Sequence, residues 1–101
     1  MKYVIGVDFG TLSARALVVE AKTGRELASA TMEYPHRVMD EALPCGKRLP
    51  PDWALQHPDD YEKALSFTVP EALRLSDVSP DDVIGLGIDF TCCTVIAVDK
   101  E

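Results

Sequence analysis

Tyr3-Val4-Ile5-Gly6-Val7-Asp8-Phe9-Gly10-Thr11-Leu12-Ser13-Ala14-Arg15-Ala16-Leu17-Val18-Val19 is the stretch that decides how the rest of the chain reads. It predicts a strand, a tight polar turn and a returning strand. The first strand is apolar at nearly every position, the pattern of a strand buried on both faces. It ends at Asp8, a carboxylate where the backbone turns. Gly10 permits the turn and lets a ligand approach the main chain. Thr11 and Ser13 offer hydroxyls, and the turn offers backbone N–H groups, to an anion. Arg15 adds a permanent positive charge suited to phosphate. Ala16 to Val19 is apolar again and returns as a hairpin partner. A carboxylate for a hydrated metal beside donors for phosphate is the chemistry of a nucleoside triphosphate site. The plainer reading of the same residues is an ordinary hairpin turn.

Composition narrows the classes. The chain has 101 residues, enough for one domain at most. Hydrophobic residues make up 47%, sufficient for a core, and the net charge is −7. That charge argues against nucleic acid as a general partner, since phosphate binding over a surface needs a basic patch. It leaves room for one locally built phosphate site. No apolar run approaches the ~20 residues that span a bilayer. Met1-Lys2 leads straight into a strand, with no signal-peptide pattern. Neither a membrane nor a secretory route is expected. The cysteines number 3, and Cys92 and Cys93 are adjacent, so no disulfide framework is expected. A cytoplasmic location fits.

Further along, Gly24 supplies a positive φ for the turn after the second strand. Leu27 to Tyr34 reads as a third strand, antiparallel to the second. From Pro35 to Pro58 five prolines break any helix, and a loop this long is usually functional or mobile. His36, Cys45 and His57 lie in it, but with Cys92 and Cys93 they lack the close pairing of a zinc site. Trp53 reads as an anchor for this loop. Pro58 suits the first turn of a helix, with Asp59 and Asp60 favourable at its positive end. Tyr61, Ala64, Leu65, Thr68, Val69, Ala72 and Leu73 then mark one apolar helical face, and Pro70 should kink or split that helix. Ser79-Pro80-Asp81-Asp82 predicts one capped helical turn. Val83 to Phe90 predicts a strand parallel to the first, because a helix intervenes. Its end, Asp89, then shares a sheet edge with Asp8. Thr91-Cys92-Cys93-Thr94 reads as a turn, and Val95 to Asp99 as another strand. The cysteines are either small buried packing or the lining of a substrate site. No base is apparent beside them to make a nucleophile.

Asp8-x-Gly10-Thr11-x-Ser13-x-Arg15, Trp53-Ala54-Leu55-Gln56-His57-Pro58 and Asp89-Phe90-Thr91-Cys92-Cys93-Thr94 together resemble the FGGY carbohydrate kinases. The resemblance implies a ribonuclease H-like, actin-like ATPase fold of α/β class. Its mixed sheet would have three antiparallel strands, then a helical crossover to a parallel strand. It implies that Asp8 helps place Mg2+, and that Gly10, Thr11, Leu12 and Ser13 contact the phosphates of ATP. Arg15 would lie near the transferred phosphate. Cys92, Cys93 and Thr94 occupy the sugar-contacting turn, where glycerol-specific members carry Arg-Glu and xylulose-specific ones Met-His. Small residues there imply a ketopentose, and the pattern is most similar to members that convert L-ribulose to L-ribulose 5-phosphate. Family members have two domains and are several times longer. Residues 1–101 would be the N-terminal part of the first, with the catalytic base outside them.

Three alternatives stay open on the residues alone. One is an actin-like ATPase of chaperone or filament type, with no need for a pentose pocket. Another is a ribonuclease H-like nuclease holding two metals at Asp8 and Asp89, which the acidic charge disfavours. The third is a non-catalytic piece that self-associates through an exposed sheet edge.

Overall fold

In the computed structural model, which describes residues 1–91 and 95–100, three strands follow one another as an antiparallel meander. They are β1 (Tyr3–Phe9), β2 (Ser13–Glu20) and β3 (Glu26–Glu33). Gly24 turns the chain between β2 and β3 at φ 75°, and its N–H donates to the Glu20 carbonyl. After a long connection comes α1 (Pro58–Ser76), then a 3-10 turn at Pro80–Asp82 capped by Ser79. The last strand, β6 (Val83–Phe90), pairs with β1 in parallel. The sheet order is β3-β2-β1-β6. The expected strand order and directions are therefore present through Phe90.

The connection before α1 is less irregular than its prolines suggest. Val38–Met39 (β4) pairs with Leu55–Gln56 (β5), and Ala42 bridges Arg48. Those pairings fold it back on itself, with Gly46 at φ 92° at its tip. Trp53 does not anchor it; the indole is 53% exposed.

α1 packs on β2 and β3 and touches β1. Ala64, Thr68 and Ala72 meet the sheet through Ala14, Ala16 and Ala30, with Ile5, Val7, Phe9 and Val18 completing the buried set. Small residues on both sides let the helix sit close. Thr68 is fully buried, yet its hydroxyl donates to the Ala64 carbonyl at 2.7 Å, so no polar group is left unmet there. Pro70 leaves α1 undivided. It and Ser66 are exposed, so water can serve the carbonyl that proline deprives of its donor.

Two further expectations are corrected. β1 is covered on one face, with Asp8 exposed, because a single helix lies over a single side of the sheet. Residues 95–100 form no strand: Val95 and Val98 are 91% and 72% exposed, so neither rests on a packed face that would hold the chain extended. Among the described residues no helix covers β6 either. Ile84, Leu86, Ile88 and Phe90, on the side where α1 lies, are 49–71% exposed.

Candidate functional site

Three charged residues line up across the sheet on the face away from α1. Arg15 on β2 stands opposite Asp8 on β1, and Asp8 stands beside Asp89 on β6. All three are exposed. Strand alternation explains the row: Val7, Phe9, Ala14 and Ala16 are buried on the other face, so their neighbours must point away from it. Gly6 and Gly87 are cross-strand neighbours one step along, and with no side chains they leave a groove of about 350 Å3 flanked by Leu17.

The row has a definite electrostatic character. Adjacent carboxylates repel, and a divalent cation between them relieves that repulsion. Among the described residues neither Asp8 nor Arg15 is engaged in an ion pair. Asp89 accepts the Phe90 N–H at 3.0 Å through one oxygen, leaving the other available. Mg2+ is commonly held by one or two carboxylates, with waters and substrate phosphates filling its shell. This donor set fits that preference, with a guanidinium beside it for phosphate.

The β1–β2 turn closes above the row. The Gly10 N–H donates to the Ser13 carbonyl at 2.8 Å. A Cβ on Gly10 would lie 3.1 Å from that same oxygen, so any side chain there would press on the backbone of the turn. Thr11 and Leu12 are exposed and Ser13 is half-buried. The turn also meets the chain leaving β6: the Thr91 N–H and hydroxyl both donate to the Phe9 carbonyl at 3.0 Å. Thus Asp8, Gly10, Thr11, Leu12, Ser13 and Arg15 are brought together with Asp89. Cys92, Cys93 and Thr94 lie outside the described residues. Near the turn a largely apolar cleft of about 850 Å3 is bounded by Thr11, Cys45, Leu55, Gln56, His57 and Ile96.

No family model matches the chain. Individual proteins do. It is 54% identical over 101 residues to the ribulokinase of Geobacillus thermodenitrificans, covering 99% of this chain. It is 54% identical over 102 residues to the ribulokinase of Mycolicibacterium smegmatis, and 47% over 101 residues to that of Shouchella clausii. This chain resembles ribulokinases along its whole length. It spans 18% of the length of each of these relatives.

Sequence reasoning missed a second cluster. His36, His57 and Asp60 come together, with their ligand atoms within 4.8 Å of one another. Asp60 is 1% exposed and takes both the His36 N–H (2.9 Å) and His36 Nδ1 (2.8 Å). Burial works against its ionised form, but those hydrogen bonds outweigh it, and the carboxyl is held below the usual range. The imidazoles of His36 and His57 stack at 4.3 Å with planes 15° apart. Near-parallel rings direct their lone pairs side by side, not onto one ion, and His57 Nδ1 already caps α1 through the Asp59 N–H. The cluster is a clasp holding the long connection to the helix. Only the His57-Pro58 junction carried a local signal of it, as a helix start. Among the described residues no helix is long and apolar enough to cross a membrane.

Proposed function

We propose that these residues form the phosphate-binding part of an ATP-dependent sugar kinase that phosphorylates L-ribulose at its terminal hydroxyl. The observation that carries this reading is the end-to-end likeness to ribulokinases. The row of Arg15, Asp8 and Asp89 beside a glycine turn supports it. On this reading residues 1–101 are the N-terminal part of the first domain of a longer cytoplasmic enzyme with a ribonuclease H-like fold.

Phosphoryl transfer depends on positioning and on stabilising negative charge, with little covalent chemistry for the protein. Gly10, Thr11, Leu12 and Ser13 receive the ATP phosphates through backbone and hydroxyl donors. Arg15 stands beside them to neutralise charge on the transferred group. Asp8, with Asp89 next to it, would hold Mg2+, which when bound offsets the charge of the nucleotide phosphates. Cys92, Cys93 and Thr94 would face the sugar, their small size suiting a ketopentose. The carboxylate that takes the hydroxyl proton comes from outside these residues.

The test is ADP release from MgATP by the longer enzyme that carries this chain, across ketopentoses and glycerol. Strong stimulation by L-ribulose is the expected result. Stimulation by another sugar alone would keep the kinase and discard the substrate. Hydrolysis indifferent to every sugar would favour an actin-like ATPase of chaperone or filament type.

A further inference from the structure

The three carbonyls of the phosphate turn are all tied back into the protein. The Tyr34 hydroxyl donates to the Gly10 carbonyl at 2.8 Å. The side-chain amide of Gln56 donates to the Thr11 carbonyl at 2.7 Å. The Tyr34 N–H donates to the Leu12 carbonyl at 2.9 Å. In a planar trans peptide the N–H points opposite to the C=O. Tying the carbonyls of residues 10 and 11 inward therefore turns the N–H groups of Thr11 and Leu12 outward. That is the orientation an anion needs from this turn.

Gln56 is the adjustable member of the set. Its Nε2 must face Thr11, since a carbonyl can only accept. Its Oε1 then faces the Tyr61 hydroxyl, which donates to it. Tyr61 is itself held between two rings, Phe9 at 5.7 Å and Tyr34 at 5.0 Å between centroids. Burial raises both tyrosines, Tyr34 to about 12, so each keeps its proton and remains a donor throughout the neutral range. The chain of contacts runs from α1 through Tyr61 and Gln56 to the turn.

We propose that Gln56, aligned by Tyr61, is a positioning residue for phosphoryl transfer, holding the Gly10–Ser13 turn with its amides facing the nucleotide. This rests on the sugar-kinase reading above. Neither side chain need touch the reacting atoms.

The experiment uses the full-length enzyme, with L-ribulose and MgATP varied separately. Gln56→Glu keeps an acceptor for Tyr61 but loses the donor to Thr11. Tyr61→Phe removes one hydroxyl and leaves the ring packing. Both should lower kcat by about tenfold or more, with the KM for L-ribulose within about twofold of the parent and the Tm little changed. A tenfold loss corresponds to about 1.4 kcal/mol in the transition state, within the range of one misdirected hydrogen-bonding group. Two results would overturn the proposal: unchanged kcat in both variants, or a loss of kcat that only tracks a fall in Tm. If the unmodified enzyme phosphorylates no sugar, the sugar-kinase reading fails first, which separates the two failures.

Discussion

At the residue scale, Asp8 carries the sharpest expectation. It is exposed, free of ion pairs among the described residues, and next to Asp89. Asp8→Asn keeps the shape and the strand position while removing the charge that would hold Mg2+. In the full-length enzyme it should lower kcat at least about tenfold and raise the Mg2+ concentration needed for half-maximal rate. Unchanged turnover at every Mg2+ concentration would remove Asp8 from the site. The residues of this site were legible because six of them fall between Asp8 and Arg15, within one strand-turn-strand unit. Asp89 was legible through topology, since a helical crossover returns the chain parallel and delivers its end to the same edge. Gln56 and Tyr61 were not. The carbonyl that Gln56 holds lies on a turn 45 residues away, and nothing local marks a glutamine as the clasp of a distant backbone carbonyl.

At the element scale, α1 was readable from its spacing, and the face marked by periodicity is the face that packs. Its first turn held the surprise. Asp60 reads as a charge favouring the helix N-terminus, and the structure buries it and ties it to His36, 24 residues away. Its folded pKa lies below the ordinary 3.8. A group depressed on folding stabilises the fold above its unfolded pKa, and that contribution is lost as pH falls through the folded value. The Tm should therefore drop steeply below about pH 4, and Asp60→Asn should flatten that acid limb. At neutral pH the same variant should lose about 2 kcal/mol, the worth of hydrogen bonds to a buried charge. Thermal melts from pH 3 to 7 on both proteins measure the two effects together. An unchanged acid limb in the variant would assign the acid sensitivity elsewhere. Pro70 shows the limit of local rules in the other direction: it lies on the exposed side of α1 with Ser66, where water can reach the orphaned carbonyl, and the helix runs on.

At the scale of the whole molecule, the sheet is unevenly supported. β2 has a strand on each side and α1 against it, whereas β6 is hydrogen-bonded to β1 alone among the described residues and exposed on both faces. The sequence of β6 is apolar enough to imply burial, and only the three-dimensional arrangement reveals that α1 stops short of it. Native-state hydrogen exchange should rank the strands accordingly, with β2 amides slowest and β6 amides fastest. Equal protection in both would mean that the bare stripe of Ile84, Leu86, Ile88 and Phe90 is covered in solution. The ranking has a consequence for the carboxylates. Asp8 stands on a strand flanked on both sides and Asp89 on one held from a single side, so their adjacency lasts only as long as the weaker ladder stays closed. Whatever packs against Ile84, Leu86, Ile88 and Phe90 thereby sets the lifetime of the carboxylate pair on the opposite face.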